Sequence, residues 1–476
     1  MPLQKNQVLT LQVERLSSDG SGVAHSPEGE TVFIPGAAPG DEARVRIVKD
    51  CKRYAFGILD EVLTPSPDRI PVDCAVAGPC GGCSLRHLDY AAELRAKQEN
   101  VADAFARIGG LDVPVLPIVG SPEIDRYRNK VQFPVGTDKA GRPCIGFYAG
   151  RTHRIVPCPD CRLQPGVLNE IGNTLCAFFA EKGIHPYNEE TGKGLVRHIF
   201  LRRGAHSGQI MVCLVSTRAK IPSADELCTR LKEAFPDIVT ILLNVNAKNT
   251  NVILGSETHT LYGQGYIEDT LCGVPVQLGP LSFYQVNTLA AEQLYGIAAE
   301  YAQLTPDDLL LDLYCGMGTI GLSMADHCRE LVGVEIVPEA IESAKANAAR
   351  MGAAVSAKSR FFCADAGQAA AQLAAEGLHP DVVMLDPPRK GCDEGTLSAV
   401  VRMAPRRVVY VSCNPATAAR DAAWLEQNGY HAEKVQPVDL FPRTKHCETV
   451  VLLSKGEVDS KKIRVEFSLE DMDRVL

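Results

Sequence analysis

The chain has 476 residues, which is too long for one ordinary hydrophobic core and predicts two to four domains. Hydrophobic residues make up 45% and charged residues 22%, as is typical of soluble globular proteins, and no apolar run is long enough to span a bilayer. The net charge of −9 argues against attraction of the whole molecule to nucleic acid, and because MPLQKNQVLT is no signal peptide we expect a cytoplasmic protein.

The N-terminal segment reads as short strands separated by turns. Their length and close spacing predict a small β-barrel over residues 1–62. The strands are QVLTLQVERL, TVFIPG, DEARVRIVKD and YAFGILDEVL.

A cluster of cysteines follows, in a chain whose odd total of 17 cysteines argues against a disulfide framework. Cys74, Cys80 and Cys83 have C-x5-C-x2-C spacing in a Gly/Pro-rich stretch, and a distant CPDC motif adds Cys158 and Cys161. Three close thiols and a remote one suit a tetrahedral metal or an iron–sulfur site. Spacing alone does not separate zinc from iron–sulfur, and simple reduced thiols are the alternative.

The middle of the chain contains two basic segments. Residues 191–223 hold six Lys/Arg and no acid, and residues 126–154 hold seven Lys/Arg against one acid, Asp138. Such patches bind phosphates, so we expect RNA or DNA contact here, with two solvated faces as the alternative. The residues predicted to contact phosphates are Arg126, Arg128, Lys130, Arg197, Arg202 and Arg203.

From about residue 285 the pattern changes to alternating strands and helices. Near-continuous apolar strands separated by helices predict a mainly parallel sheet covered on both faces. The strands are LLLDLYC, LVGVEIV, SRFFCAD, DVVMLD, RRVVYVSC and ETVVLLS.

The first of these strands runs into the glycine-rich motif GMGTIG, which includes Gly316 and Gly318. A carboxylate at the end of the next strand, Glu335, suits ribose hydroxyls, so NAD is one candidate ligand. Asp312 would repel a pyrophosphate but suits a cationic amino group, which favours S-adenosylmethionine. Asp365 either binds the adenine amino group or caps a helix.

The strand RRVVYVSC ends on Cys413, at the sheet edge where strand DVVMLD delivers Asp386. Asn414 is placed to cap a helix whose first residue is Pro415. A thiol before a helix amino terminus is expected to have a lowered pKa and to act as a nucleophile. A structural buried cysteine is the alternative.

The segment DPPRKG (386–391) followed by VVYVSCNPAT (408–417) resembles the signature of the RNA 5-methyluridine methyltransferase family. SFYQVN (282–287), DLYCGMGTIGL (312–322) and DLFPRTKHCETVVLL (439–453) fall in the family's order. The N-terminal barrel with DGSGVAH resembles the TRAM domain of the family's ribosomal-RNA branch. The resemblance covers residues 1–455 and departs from the family pattern at Arg443 and Cys447.

The resemblance implies a class I methyltransferase: a Rossmann-like doubly wound α/β sheet with a TRAM (OB-like) barrel and an α+β central Fe–S and RNA-binding domain. It implies that Cys413 adds to C6 of a flipped uracil and that Glu448 removes the C5 proton. Without the family resemblance, Glu448 would be interpreted as a solvated residue at the start of a strand. The resemblance assigns cofactor contact to Gln285, Tyr314, Glu335 and Asp386, and it places Asp386 near the target base as well.

The ribosomal branch also implies a [4Fe–4S] cluster on Cys74, Cys80, Cys83 and Cys161, with Cys158 the weaker choice of fourth ligand. Because the sequence has no three-cysteine radical motif of C-x3-C-x2-C type, we expect the cluster to be structural or RNA-positioning. The expected substrate is uridine in 23S rRNA rather than tRNA, without DNA or membrane partners and with a monomeric enzyme. Two other functions remain open. One is an NAD-linked oxidoreductase, and the other is a non-catalytic RNA-binding or ribosome-assembly factor.

The expected domains combine these segments. They are a TRAM-like barrel (1–62), a central Fe–S and RNA-binding domain (63–87 and 122–270), a methyltransferase domain (88–121 and 271–455) and a C-terminal tail (456–476).

Overall fold

Five strands near the N-terminus close into a barrel in the order β1-β2-β3-β5-β4, as the sequence predicted. Strands β3 and β5 pair in parallel and the other neighbours are antiparallel. Alternation along β3 buries Val32 and Ile34 in the barrel core. The computed structural model describes residues 3–150 and 152–456, so the predicted tail lies outside the described residues from position 457 onward. The strands are β1 (Val8–Leu16), β2 (Ser21–His25), β3 (Thr31–Pro35), β4 (Glu42–Asp50) and β5 (Tyr54–Thr64).

Two helices follow the barrel: α1 (Ala77–Cys80) and α2 (Tyr90–Asp103). Asp89 caps α2 by accepting a hydrogen bond from the Ala92 amide, and the helix continues as a π-helical turn, Ala104–Gly109. Val101 and Phe105 pack into the hydrophobic core of the C-terminal sheet. The chain between barrel and central sheet is thereby anchored on the C-terminal unit.

The central unit is a seven-stranded sheet of order β12-β11-β10-β9-β6-β7-β8. Helices α3 and α4 cover one face, and Phe200 and Met211 on the other face join the core of the C-terminal unit. The elements are β6 (Lys130–Thr137), β7 (Pro143–Tyr148), β8 (Ile155–Pro157), α3 (Gly166–Glu181), β9 (Val196–Arg203), β10 (Ile210–Ser216), α4 (Ala224–Ala234), β11 (Ile238–Val245), β12 (Glu257–Gly263) and the hairpin β13 (Ile267–Leu271) and β14 (Val274–Leu278).

The C-terminal unit is a doubly wound sheet of order β17-β16-β15-β18-β19-β21-β20. The first five strands in this order are parallel and β21 is antiparallel to both its neighbours, which confirms the predicted fold class. The elements are α5 (Thr288–Ala302), β15 (Leu309–Leu313), α6 (Thr319–Ser323), a 3-10 turn (Ala325–His327), β16 (Glu330–Glu335), α7 (Pro338–Met351), α8 (Ala353–Lys358), β17 (Ser359–Cys363), α9 (Ala366–Ala375), β18 (Val382–Leu385), α10 (Glu394–Met403), β19 (Arg407–Ser412), α11 (Pro415–Gln427), β20 (Tyr430–Val438) and β21 (Glu448–Lys455).

Within residues 3–150 and 152–456, the helices are all too short or too polar to cross a bilayer.

Candidate active site

The glycine-rich motif forms the turn between β15 and α6. Gly316 has a φ of 54° and its amide donates to Glu335 Oε2 at 3.1 Å. A Cβ on Gly321 would lie 2.7 Å from Asp312 Oδ2, so only glycine lets α6 approach the strand this closely. Glu335 also accepts from the amides of Ile336 and Val337, which orients its carboxylate at the end of β16.

Asp312 lies beneath this turn with a side chain that is almost fully buried. Its Oδ2 accepts from the Gly321 amide at 3.0 Å, whereas Oδ1 is buried without a hydrogen-bond partner in the described structure. Burial raises the pKa of Asp312 to about 8, and Asp386 and Glu335 add to the effect. An unpaired buried oxygen fits a donor supplied by a ligand, such as an ammonium group.

The remaining predicted cofactor residues lie around the same crevice. Asp365 is exposed and caps α9, accepting from the amides of Gly367 and Gln368. Tyr314 has a φ of 65° and its hydroxyl lies 3.4 Å from Thr396 Oγ1.

Gln285 lies in the loop before α5, where its carbonyl accepts from Asn129 Nδ2 at 2.8 Å. The Gln285 side chain also contacts the buried Tyr295 hydroxyl, whose pKa is raised by burial and by Asp386. The loop containing Gln285 is therefore held by Asn129 and by Tyr295 of α5.

Three of the predicted residues meet at one edge of the sheet. Cys413 follows β19 directly, and Glu448 opens β21. The β19–β21 register pairs Ser412 with Thr449, so Cys413 and Glu448 face each other one step beyond this pair. Asp386 follows β18, the other neighbour of β19.

The pKa values of both carboxyl groups are raised above those of surface acids. Burial raises the pKa of Glu448 to about 8, and the nearby Asp386 carboxylate contributes while Arg389 opposes it. Burial likewise raises the pKa of Asp386 to about 7. Acids with raised pKa values near neutrality are suited to accepting and returning protons.

The expected lowering of the Cys413 pKa is wrong. Asn414 does cap α11, accepting from the Ala416 amide, and Pro415 opens the helix as predicted. However, burial raises the pKa of Cys413, and the carboxylates of Glu448 and Asp386 raise it further, which Arg389 only partly offsets. Burial and the two nearby acids therefore outweigh the helix terminus, and together they favour the thiol over the thiolate.

A set of hydrogen bonds that the sequence did not reveal locks loop 387–392 against α11. Asn414 Nδ2 donates to the Arg389 carbonyl at 3.0 Å, and Asp421 Oδ2 accepts from the Cys392 amide at 2.8 Å. The same Asp421 oxygen accepts from the Tyr410 hydroxyl on β19 at 2.5 Å. The segments carrying Asp386 and Cys413 are thus held in one geometry.

A second unpredicted network ties α2 to the loop between β20 and β21. Lys97 is buried and donates to Glu93 at 2.6 Å and to Asp439 at 2.8 Å. The Tyr90 hydroxyl donates to the other Asp439 oxygen, and Glu93 accepts from the Arg443 amide. The network fixes the loop that leads to Glu448.

Replacing Lys97 should therefore destabilise the protein strongly. Lys97→Met would leave Glu93 and Asp439 as uncompensated buried acids, which should lower the free energy of unfolding by about 3–5 kcal/mol. Urea denaturation measures the change. Arg95→Met, which removes only an exposed pair with Asp68, is the control and should cost under about 1 kcal/mol. Equal losses in the two variants would contradict the role of this network.

The raised pKa of Glu448 also predicts how stability depends on pH. Its folded-state pKa of about 8 exceeds the unfolded value of about 4.3, so the folded protein binds this proton more tightly. The ionised carboxylate therefore costs stability that sets in above pH 4.3 and is complete above pH 8. The stability of Glu448→Gln relative to the wild type should therefore increase with pH. The difference in unfolding free energy between the two proteins should be about 2–4 kcal/mol larger at pH 9 than at pH 5. Glu433→Gln, at an exposed position, is the control. If the unfolding free energies of Glu448→Gln and the wild type changed in parallel with pH, the raised pKa of Glu448 would be contradicted.

The basic segments are only partly available to RNA. Arg197 is buried and donates to the carbonyls of Asn246 and Lys248, so its predicted phosphate contact is wrong. The prediction also fails for Arg202, which is buried and donates to the carbonyls of Gly279 and Ser282. Both arginines hold loops because buried carbonyls need donors.

Of the remaining basic residues, Arg126 pairs with Asp160 through both terminal guanidinium nitrogens, Nη1 and Nη2. Arg128, Lys130 and Arg203 are half-buried. Burial lowers the pKa of Lys130 to about 8, with Arg202 and Arg128 contributing.

The predicted cluster cysteines lie near one another. Burial raises the pKa of Cys80 and of Cys83, and in both cases the Cys161 sulfur adds to the effect; Cys74 also acts on Cys80. Cys158 is buried and its thiol donates to the Cys161 sulfur. Among the residues that the structure describes, no group of three or more His, Cys, Asp or Glu is arranged to hold a metal ion. The cysteine sulfurs therefore lie near one another but do not form a complete set of metal ligands in the described part of the chain.

The doubly wound sheet, with a glycine-rich turn after β15 and an antiparallel final hairpin, defines a class I S-adenosylmethionine-dependent methyltransferase. The family described as tRNA (uracil-5-)-methyltransferase matches residues 276–456, and the TRAM domain matches residues 2–59. An uncharacterized RNA methyltransferase of Halalkalibacterium halodurans is 43% identical over 453 residues, covering 95% of this chain and 98% of that protein. This chain belongs to the RNA uracil-5-methyltransferase family.

Further relatives agree with this assignment. An uncharacterized RNA methyltransferase of Bacillus cereus is 42% identical and covers 96% of this chain and 98% of that protein. The crystal structure of Pyrococcus abyssi tRNA (uracil-54, C5)-methyltransferase in complex with S-adenosyl-L-homocysteine is similar with a TM-score of 0.74 and 27% identity, covering 94% of this chain and 100% of that one. The family resemblance and the TRAM barrel are confirmed, and S-adenosylmethionine is supported over NAD.

Proposed function

We propose that this protein transfers a methyl group from S-adenosylmethionine to C5 of a uridine in RNA through a covalent bond between Cys413 and C6 of uracil. The observation that carries the proposal is Glu448 placed opposite Cys413 across β19 and β21, with Asp386 beside them. A non-catalytic RNA-binding factor needs no such arrangement.

The chemistry requires a nucleophile and a base. Carbon C5 of uracil attacks an electrophile only after a thiolate has added to C6 and turned C5 into an enolate carbon. The Cys413 proton passes to a neighbouring carboxylate, and the sulfur then bonds to C6. After C5 is methylated, Glu448 takes the C5 proton, the C5–C6 double bond reforms and the Cys413 thiolate leaves. The target base must leave its stack for this attack.

S-adenosylmethionine supplies the electrophilic methyl group. Asp312, with its unpaired buried oxygen, and the oriented Glu335 carboxylate fit the amino and ribose groups of this ligand. We propose that the other residues around the crevice complete the site, and these are Gln285, Tyr314, Gly316, Gly318, Asp365 and Asp386.

We propose 23S rRNA as the substrate, because the barrel and the cysteine loop occur together as in the ribosomal branch of the family. Transfer RNA is the second candidate, since the similar Pyrococcus abyssi enzyme is a tRNA (uracil-54, C5)-methyltransferase. We further propose that the protein acts as a cytoplasmic monomer, with the barrel, the central unit and the methyltransferase unit as separate domains.

Incubation of the enzyme with 23S rRNA or tRNA transcripts and S-adenosylmethionine tests the function. Nuclease digestion and mass spectrometry should find 5-methyluridine in the rRNA, at a site that lacks it in a deletion strain. Methylation of tRNA alone would overturn the rRNA assignment, and methylation of another atom or base would overturn the reaction.

We also propose that Cys74, Cys80, Cys83 and Cys161 hold a [4Fe–4S] cluster. The support is that the Cys161 sulfur lies close enough to Cys80 and Cys83 to raise the pKa of both, that Cys74 acts on Cys80 in the same way, and that thiolate ligands suit iron. The loop is anchored by the buried Arg86, which pairs with Asp73 and Asp125.

Purified protein should be brown, with absorbance near ~400 nm that is lost on bleaching, as expected of thiolate-bound iron. Cys161→Ser should lower the iron content more than the control Cys158→Ser, and iron analysis measures both. Colourless protein with stoichiometric zinc would contradict the iron cluster. Equal losses of iron in Cys161→Ser and Cys158→Ser would contradict the assignment of Cys161 as the fourth ligand.

A further inference from the structure

The loop between β20 and β21 (439–447) leads directly to the candidate base. Glu448 pairs with Val438 in the β20–β21 register, so the loop closes onto this pair. Among the described residues, none donates a hydrogen bond to the Glu448 carboxylate, whose pKa is shifted only by burial and by the charges of Asp386 and Arg389. The position of the carboxylate therefore depends on the backbone that carries it, and on the contacts that hold the loop.

One set of contacts reaches the loop from the chain that follows Cys83. The Leu85 amide donates to the Arg443 carbonyl at 3.1 Å, and Arg443 Nη1 donates to the Leu88 carbonyl at 3.0 Å. All three residues are buried. Arg443 has a φ of 68°, which is unfavourable for a residue with a Cβ, so these contacts help to hold its backbone in place.

A second set of contacts reaches the loop from the chain that follows Cys161. Segment 126–128 runs beside residues 162–163, and two of its amides donate to their carbonyls at 2.7 and 3.0 Å. Between these amides, the buried Tyr127 donates its hydroxyl to the Pro442 carbonyl at 2.9 Å. Pro442 precedes the residue held by the first set of contacts, so the two sets meet at one point of the loop.

Ion pairs join the two sets of contacts behind the loop. Arg86 is almost fully buried and pairs with Asp73 at 2.7 Å and with Asp125. Arg86 follows the first three cysteines and Asp125 leads into segment 126–128, so this pair links the two sets. Arg162 adds a second link through its pair with Asp73 at 3.1 Å. Because guanidinium–carboxylate pairs fix geometry as well as charge, the cysteine segments form one frame.

We propose that Tyr127 and Arg443 are positioning residues for removal of the C5 proton, and that the cysteine segments fix the place of Glu448 through them. The inference rests on the proposed function, because it takes Glu448 as the base. A reacting group has to be held within about 0.5 Å of its productive position, and two separate sets of buried contacts end on adjacent residues of the loop that carries this one. Cysteine segments that served RNA binding alone would need no such contacts.

Tyr127→Phe tests the proposal, because it removes one hydroxyl and little else. Release of the methylated RNA from the enzyme, which follows loss of the C5 proton, should slow by about fivefold, the usual effect of one lost hydrogen bond. Methyl transfer in a single turnover should be unchanged. Labelled methyl incorporation measures transfer, and decay of the adduct on denaturing gels measures release. Tyr430→Phe is the matched control and should release as the wild type does, since this buried hydroxyl donates to the Pro405 carbonyl at 2.8 Å, at the end of β20 away from Glu448.

Arg443 supplies a second test. Arg443→Met removes a charged donor and should slow release by about tenfold or more while methyl transfer persists. Arg443→Lys should restore most of the release rate, because the ammonium can donate to the Leu88 carbonyl. Hydrogen exchange of the peptide 439–447 should be faster in Tyr127→Phe and Arg443→Met than in the wild type, and unchanged in Tyr430→Phe.

Cys161→Ser tests the part played by the cysteine segments. It should give the same slow release and the same faster exchange of 439–447, whereas Cys144→Ser, at a half-buried thiol on β7, should give neither. Wild-type release and exchange in Cys161→Ser would overturn the link between the cysteines and the loop.

Wild-type release in both Tyr127→Phe and Arg443→Met would overturn the positioning role, and so would a proportional loss of methyl transfer and release, which indicates general destabilisation. Glu448→Gln separates this failure from failure of the proposed function. If Glu448→Gln accumulates the methylated adduct and the Tyr127 and Arg443 variants release normally, only the positioning role is wrong. If Glu448→Gln accumulates no adduct, the assignment of the base is wrong.

Discussion

Cys413→Ala should abolish methylation of RNA and every covalent protein–RNA species. The variant lacks the sulfur that follows β19 at the crevice edge, and without addition at C6 the C5 carbon is not nucleophilic. We expect methyl transfer to fall by about 10⁴-fold or more, as for loss of a catalytic nucleophile elsewhere. Incorporation of labelled methyl groups into RNA measures the rate, and denaturing gels detect the covalent protein–RNA adduct.

The control for this variant is Cys228→Ala, which removes another half-buried thiol, on α4 of the central unit. It should keep the rate and the adduct of the wild type. RNA containing 5-fluorouridine sharpens the comparison, because fluorine at C5 cannot leave as a proton and the adduct should accumulate. A trapped adduct in Cys413→Ala would place the nucleophile on another residue.

Glu448→Gln should separate the two halves of the reaction. The amide keeps the shape of the side chain and leaves Cys413 in place, so addition to C6 and methylation of C5 should still occur. Loss of the C5 proton should stall because the amide is not a base, and the enzyme should remain bound to its methylated product. Denaturing gels with substrate RNA and S-adenosylmethionine should show a shifted, methylated adduct.

Multiple turnover of Glu448→Gln should fall by about 10²–10⁴-fold, the usual contribution of a positioned base. The double variant with Cys413→Ala should show no adduct, and Glu433→Gln on β20 should behave as the wild type. Normal turnover by Glu448→Gln would show that the base lies elsewhere. Asp386, whose pKa is also raised towards neutrality, would then be the carboxylate to test.

Local sequence determined several features of this protein. The strand, glycine-rich turn and helix at 309–323 follow from an apolar run and from glycines that allow close approach. Asn414 and Pro415 mark the start of α11 because capping depends on neighbours within one turn. The N-terminal barrel was likewise predicted from short strands at close spacing, separated by turns. Such features depend on residues close together in the chain, and motif order then indicated the family.

Long-range pairing decided the rest. Glu448 looked like a solvated strand end, but β21 inserts between β19 and β20, which buries its carboxylate opposite Cys413. The same pairing reversed the expected pKa shift of Cys413. The burial of Arg202 depends on a loop about 80 residues away in sequence, and the partners of Lys97 include Asp439, more than 300 residues away. Charge counted along a segment does not reveal burial, because burial and electrostatic environment depend on which distant strands and loops become neighbours in the folded chain.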